Sequence, residues 1–269
     1  MGLPPPAPGS ICLVTGASAG IGEQFARQLA ARGHNVFLVA RRRERIRDLA
    51  AELEREHGVR AEFVACDLGD PAARDALPET AARRELQVEV LINNAGFGTT
   101  GDLHSDPDRQ TRMVRVNCEA PVALTAAFVP AMVERGRGAV LNVASVVAFQ
   151  PMPAQAVYAA TKAFMLSFSE ALSSELRKTG VSVTALCPGP VETEFTEVAE
   201  FKRPASETPS FVWSSAEDVA RAGLQGLEKG KRVVIPGIGN RAAAAMGHYT
   251  PHFLFFAGPA KLYRRAIGE

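Results

Sequence analysis

Short apolar runs alternate along this chain with longer stretches of helical period, and that alternation restricts the fold more than any other feature. The runs ICLVT (11–15), NVFLVA (35–40), AEFVAC (61–66), VEVLIN (88–93), GAVLNVAS (138–145) and VSVTALC (181–187) are joined by segments with apolar residues at helical spacing, among them 20–32, 43–57, 107–134 and 156–179. Repeated strand-then-helix units demand a parallel sheet covered on both faces. A strand buried on both sides has no polar face, which is why VFLVA reads as an unbroken apolar run. The predicted fold is α/β: a single doubly wound Rossmann-type domain with a central parallel sheet of about seven strands, the last being RVVIP (232–236).

With 269 residues, 46% of them hydrophobic, the chain can bury one large core. The expected organisation is a flexible proline-rich leader over 1–9, the domain over 10–238 with a helical stretch at 215–228, and a helical extension of the same domain over 239–269. A segment rich in Glu, Pro, Ser and Thr at 192–214 is expected to form the substrate loop. The tail carries AAAAM, HFLFF and basic residues, and packing on the same or a sister chain is favoured over membrane contact. A net charge of +1 gives no long-range attraction to nucleic acid, so any phosphate must be held by local groups. Cys12, Cys66, Cys118 and Cys187 lie far apart without metal-ligand spacing, so free buried thiols in a reducing compartment are expected and a metal is not. No run of about 18 apolar residues and no signal-peptide pattern in MGLPPPAPGS are seen, so a cytoplasmic location is expected.

The first strand runs into Thr15-Gly16-Ala17-Ser18-Ala19-Gly20-Ile21-Gly22 and then a helix, a place where a pyrophosphate lies against exposed helix N–H groups. Glycine is needed there because a Cβ would block the turn and hold the backbone off the phosphates. About twenty residues on, an NAD site would offer an acid to the adenosine ribose, but the second strand ends in Arg41-Arg42-Arg43. Guanidinium groups match a ribose 2′-phosphate in charge and in forked geometry. They also sit at a helix start, where positive charge opposes the macrodipole and a phosphate would relieve the conflict. NADP(H) is therefore favoured over NAD. Asp67, with Leu68 beside it, follows the third strand and is placed to hydrogen-bond the adenine amine; Asn94, Ala95 and Gly96 follow the fourth. All these strand ends converge on one edge of the sheet, where open α/β sheets bind ligands.

After the fifth strand, Tyr158-Ala159-Ala160-Thr161-Lys162 puts a phenol and an ammonium on one helix face. A neighbouring ammonium favours phenolate, so the expectation is a tyrosine pKa below its ordinary value near 10. Ser145 closes the fifth strand at the same edge and can reach the substrate oxygen. Asn117, a weak helix former inside 107–134, suggests a local kink able to hold water that connects Lys162 to solvent.

In this order and on these elements, the residues resemble the short-chain dehydrogenase/reductase family, with its TGxxxGxG, NNAG, helix Asn, strand-end Ser and YxxxK signatures, over about residues 10 to 195. The resemblance implies a catalytic tetrad of Asn117, Ser145, Tyr158 and Lys162, with Lys162 also holding the nicotinamide ribose. It further implies that Pro188, Gly189, Val191 and Thr193 form the family's Pro-Gly segment, Thr193 contacting the carboxamide, and that Arg41 and Arg42 mark the NADP-preferring branch. Family members commonly pair through the helices matching 107–134 and 156–179, so a homodimer or homotetramer is expected.

The implied reaction moves a hydride between nicotinamide and an alcohol or carbonyl carbon, with Tyr158 as acid or base and Ser145 orienting the oxygen. Phe195, Phe201, Phe211 and Trp213, with the HFLFF tail, point toward an apolar aldehyde or ketone as substrate. The competing classes are a nucleotide sensor without turnover, a methyltransferase using SAM, and an epimerase or dehydratase. The intact Ser-Tyr-Lys set disfavours the first, the arginines the second, and the short C-terminal region the third.

Overall fold

Seven strands, β1 (Ser10–Thr15), β2 (Asn35–Ala40), β3 (Ala61–Ala65), β4 (Gln87–Asn93), β5 (Gly138–Val143), β6 (Val181–Leu186) and β7 (Val233–Val234), form one sheet in the order β3-β2-β1-β4-β5-β6-β7. Every pairing is parallel. The structure is a computed structural model and describes residues 2–101, 103–191 and 213–250. Helices α1 (Gly20–Ala30), α2 (Arg43–His57), α3 (Pro71–Asp75), α4 (Leu77–Arg83), α5 (Pro107–Val114), α6 (Ala120–Glu134), α7 (Ala156–Glu175), α8 (Ala216–Glu228) and α9 (Ile238–Tyr249) connect and cover the strands. The chain winds outward from β1 to β3, then crosses to β4 and winds the other way. The reversal leaves a crevice at the carboxyl ends of β1 and β4.

Side-chain alternation explains the unbroken apolar strands. Cys12 and Val14 of β1, with Val36 and Leu38 of β2, pack with Phe25 and Leu29 of α1 and Leu224 of α8 on one face. Ile11, Leu13, Phe37 and Val39 pack with Leu124, Phe128 and Met132 of α6 on the other. Phe25, Phe37, Leu13 and Leu91 are fully buried, and each such side chain contributes about 1.5–3 kcal/mol by leaving water.

The predicted elements are present; β2 and α2 have the expected bounds, β1 and β4 begin one residue earlier, and several others end short. The 138–145 run stops as strand at Val143, because Ser145 turns the chain into a single 3-10 turn at Val146–Phe149 and caps it by accepting from the Val147 N–H at 3.3 Å. The helix expected over 156–179 ends at Glu175, and RVVIP contributes only Val233 and Val234 because that edge strand has one neighbour, β6. The leader read as flexible is tied down over its described part: Leu3 packs on the core, Ser182 Oγ donates to the Gly2 carbonyl at 3.3 Å, and Arg137 Nη2 donates to the Pro5 carbonyl at 2.6 Å. The continuous helical segment Pro107–Glu134 is long and apolar enough to cross a membrane by length and composition, but 56% of its apolar window is buried against the rest of the chain. Its apolarity is that of a core helix. All four cysteines are free and buried, and no metal-holding cluster occurs among the described residues.

Candidate active site

The glycines after β1 serve two different purposes. Gly16 has φ +67°, and a Cβ there would come within 2.7 Å of Asn94 Nδ2 and 2.9 Å of Ala95 Cα. A Cβ on Gly22 would lie 2.3 Å from the Gly16 carbonyl oxygen, so these two glycines let the loop, α1 and the end of β4 close on one another. Thr15 locks the same junction: its Oγ1 accepts from the Asn94 N–H at 2.9 Å and the Ala95 N–H at 3.0 Å, while Asn94 Nδ2 donates to the Thr15 carbonyl at 2.9 Å. Gly20, at φ +59°, faces outward into the crevice and keeps the N-terminus of α1 open to a ligand.

That crevice is a cleft of about 500 Å³. Gly16, Ser18, Gly20 and Ile21 line it, with Arg41 and Arg42, Asp67 and Leu68, Asn94, Ala95 and Gly96, Ser145, Tyr158 and Lys162, and Pro188, Gly189 and Val191. Two sequence-predicted residues stand behind the wall: Gly22, packed under the loop, and Asn117, 2% exposed. Thr193, like Phe195, Phe201 and Phe211, lies outside the described residues, whereas Trp213 lines the cleft.

At one end, Arg42 holds its guanidinium over the glycine loop, donating from Nε and Nη2 to Ser18 Oγ at 3.1 and 3.0 Å. Arg43 turns away and stacks 5.7 Å over the Phe63 ring. Asp67 is already engaged: Gly69 N–H donates to its Oδ1 at 3.0 Å, and Arg112 ion-pairs with its Oδ2. Partial burial raises the Asp67 carboxyl, but the Gly69 N–H and the Arg112 guanidinium outweigh it and hold the group below the ordinary aspartate range. Arg112 and Gly69 thus fix the Asp67 carboxylate at the cleft wall, and each of its oxygens still has a lone pair to offer.

The opposite end gathers Ser145, Tyr158 and Lys162. Ser145 Oγ donates to the Pro188 carbonyl at 3.4 Å, and the Ser145 hydroxyl lies close enough to the Tyr158 phenol to pull weakly on its proton. Lys162 is 5% exposed, with Nζ donating to the Val143 carbonyl at 2.9 Å and standing 5.7 Å from the Tyr158 ring centroid. Burial pushes the Tyr158 phenol up to about 12, the Ser145 hydroxyl pulling weakly the other way, and lowers Lys162 to about 8. This reverses the expected lowering of the tyrosine pKa. Desolvation of both groups dominates, and the ammonium faces the ring rather than the oxygen.

Asn117 sits in a π-turn, Arg115–Glu119, between α5 and α6, so the predicted irregularity is present. Its Oδ1 accepts from the Phe97 N–H at 3.1 Å, and its Nδ2 donates to the Phe97 carbonyl at 2.9 Å and to Thr161 Oγ1 at 3.1 Å. A Cβ on Gly96 would lie 3.0 Å from Asn117 Oδ1 and 3.6 Å from Lys162 Nζ, so both groups back the same glycine.

A short chain dehydrogenase family model matches residues 10–203. The chain belongs to the short chain dehydrogenase family. A short-chain dehydrogenase from Sphingobium yanoikuyae, solved in complex with NADPH, is 35% identical with a TM-score of 0.78, over 88% of this chain and 92% of that one. The bulky-bulky ketone specific alcohol dehydrogenase from Comamonas testosteroni is 32% identical with a TM-score of 0.73, over 84% and 85% of the two chains. A very-long-chain 3-oxoacyl-CoA reductase of Anas platyrhynchos is 32% identical over 214 residues, 76% of this chain and 67% of that one. The chain spans about two thirds of the length of the first curated relatives it matches, 66% and 67%.

Several lining residues of this short chain dehydrogenase cleft carried no sequence signal. Arg112 projects from α5 to Asp67 across 45 positions of sequence. Phe97, Met152 and Gln155 line the cleft together with Tyr158. Gln155 alone was findable, since it immediately precedes the helix that carries Tyr158 and donates to Thr100 Oγ1 at 3.3 Å.

Proposed function

We propose that this short chain dehydrogenase is an NADP(H)-dependent oxidoreductase that moves a hydride between nicotinamide and the carbon of an apolar aldehyde or ketone, working in the reductive direction. One observation carries the reading: Ser145, Tyr158 and Lys162 meet at one end of a single cleft whose other end is flanked by Arg41, Arg42 and a glycine-backed helix N-terminus. That outline fits a long phosphate-bearing dinucleotide. The NADPH complex of the Sphingobium relative and the bulky-ketone specificity of the Comamonas relative support it.

Bound NADPH would supply the hydride. The chain's own residues then handle the oxygen and its proton. Ser145 and Tyr158 line the same cleft, and once the Ser145 hydroxyl turns away from its long 3.4 Å bond to the Pro188 carbonyl the two hydroxyls can both donate to a carbonyl oxygen. The raised phenol pKa keeps the Tyr158 proton in place at neutral pH, so it is available for transfer as negative charge develops. Lys162 provides positive charge beneath the ring and is placed to hold the ribose hydroxyls, and Asn117 fixes the Phe97 backbone and is suited to the proton supply path. Phe97, Met152 and Trp213 give the carbonyl end apolar walls. Oxidation of NADPH and NADH followed in parallel against bulky aliphatic and aromatic ketones tests the proposal. Turnover with NADPH of at least one ketone is expected, and no turnover, or preference for NADH, overturns it.

The free, buried cysteines support a reducing compartment, as in the cytoplasm. Phe164 of α7, 44% exposed and stacked on Phe168 at 6.0 Å, and Val122 of α6, 36% exposed, support pairing of copies through these helices. A monomer mass by light scattering at micromolar concentration counts against it.

A further inference from the structure

The strands β6 and β7 leave the sheet side by side, with Ala185 N–H bonded to the Arg232 carbonyl and Cys187 N–H to the Val234 carbonyl, both at 2.8 Å. After β6 the chain forms the Pro188-Gly189-Pro190 wall of the cleft. After β7 it turns at Gly237, φ +84°, into α9. Asn240, in the first turn of α9, is only 4% exposed, and its Nδ2 donates back to the Pro236 carbonyl at 2.9 Å. A Cβ on Gly189 would lie 2.3 Å from Asn240 Oδ1, 2.4 Å from Nδ2 and 2.5 Å from Cγ. Short distances to both Oδ1 and Nδ2, with Cγ slightly farther, mean that the O/N end of the carboxamide, tilted toward Gly189, fills the space a Cβ would need. The Pro188 carbonyl, one residue back, accepts from the Val146 N–H at 3.0 Å and Ser145 Oγ at 3.4 Å. The far end of α9 backs the same Ser145 turn: a Cβ on Gly247 would stand 3.1 Å from the Phe149 carbonyl oxygen, and His248 meets the Phe149 ring edge-on at 6.4 Å.

We propose that Asn240 is a positioning residue for cofactor binding: the O/N end of its carboxamide, packed against Gly189, sets the depth of the Pro188-Gly189-Pro190 backbone and so couples α9 to the nicotinamide end of the cleft. The inference rests on the NADP(H) reading above. An amide suits the task because its end is compact enough to sit against a glycine, and its N–H fixes its orientation through the Pro236 carbonyl. A carboxylate would keep the shape but set oxygen against the Pro236 carbonyl. A glycine would leave Gly189 without its backing.

The test uses the full chain, with NADPH affinity read by fluorescence titration without substrate, kinetics on a ketone that the wild type reduces, and thermal melts to establish folding. Gly189→Ala drives its Cβ into the amide, and a rise in NADPH Kd of about tenfold is expected. Asn240→Gly alone raises Kd about threefold. The double variant, with room for the new methyl, binds NADPH more tightly than Gly189→Ala does, a reversal that loss of a merely structural bond cannot produce. Asn240→Asp, read by itself, is expected to raise NADPH Kd about threefold while the ketone KM stays within about twofold. Additive losses in the double variant, wild-type affinity in Gly189→Ala, or, should Gly189→Ala not fold, wild-type affinity in folded Asn240→Asp would overturn the role of Asn240. A wild-type chain that does not bind NADPH overturns the proposed function, and this inference with it.

Discussion

Lys162 meets Tyr158 through the face of the phenol ring, its Nζ 5.7 Å from the centroid, while the neighbouring Ser145 hydroxyl pulls only weakly on the phenol proton. An ammonium in that position is attracted to the ring quadrupole, and burial is left to govern the proton on the oxygen. Burial holds the phenol at about 12, so Tyr158 carries its proton throughout the neutral range. Tyr158→Phe keeps the ring and its contact with Lys162 but has no proton to give. Ketone reduction should fall by about 10²–10⁴-fold, the usual worth of a positioned acid, with NADPH affinity held within about twofold. Steady-state NADPH oxidation and fluorescence titration measure the two quantities, and a variant retaining a tenth of the rate would remove Tyr158 from the role.

Lys162 titrates where enzymes are ordinarily assayed. Burial lowers its pKa from 10.5 to about 8, with Cys118 and Cys187 opposing weakly, so the ammonium is present below about pH 8 and lost above it. A cation needed at the ribose end disappears as pH rises, so kcat/KM for NADPH should decline above about pH 8 in the direction of reduction. Lys162→Arg, whose guanidinium stays charged, should lose that decline even where its overall rate is lower. An identical alkaline limb in both proteins would assign the titration to another group.

Arg42 reaches Ser18 across the glycine loop, which places two guanidinium nitrogens at the mouth of the cleft beside Arg41. If they hold a 2′-phosphate, Arg42→Ala removes charge-assisted bonds worth about 1.5–3 kcal/mol, equivalent to a rise in NADPH Kd of about tenfold or more. NADH has no such phosphate, and its Kd should change by less than about twofold. Parallel titrations with the two nucleotides read the difference. Equal losses for both would point to the Ser18 bond and the loop conformation rather than to the phosphate.

The parts of this molecule legible in sequence are those governed by period and by strand ends. Short apolar runs alternating with helical stretches revealed the sheet, and the residues at the carboxyl ends of β1, β2, β3 and β4 fell into one cleft because parallel strands all finish at the same edge. Asn117 was also visible, as a poor helix former inside a long apolar segment, and it does interrupt that segment with a π-turn. What stayed hidden depends on tertiary approach. Nothing local to Arg112 announces an ion pair with Asp67, and nothing local to Asn240 announces the carboxamide packed against Gly189. The sign of the Tyr158 shift was missed for the same reason. Spacing puts Lys162 on the same helix face, but only the packed structure shows both groups stripped of water.

Burying Lys162 sets stability against function. Its pKa in the folded chain, about 8, lies below its ordinary value of 10.5, so between those values the unfolded chain binds more protons than the folded one. Stability therefore rises with pH across that window, and the penalty of the buried charge is fully present below it. At about 1.36 kcal/mol per tenfold change in proton affinity, the penalty is about 3 kcal/mol at pH 7. The bond from Nζ to the Val143 carbonyl offsets about 1 kcal/mol of what a neutral replacement would gain. Lys162→Met, of similar length, should therefore be more stable at pH 7 by about 1–2 kcal/mol, a rise in melting temperature of several degrees, while losing ketone reduction. The advantage should shrink as pH rises from about 8 toward 10.5, because the wild type sheds its proton there. Melts of both proteins at pH 7 and pH 10 check the magnitude and the sign, and a variant less stable than wild type at pH 7 would mean that the folded chain compensates the Lys162 charge more fully than burial alone allows.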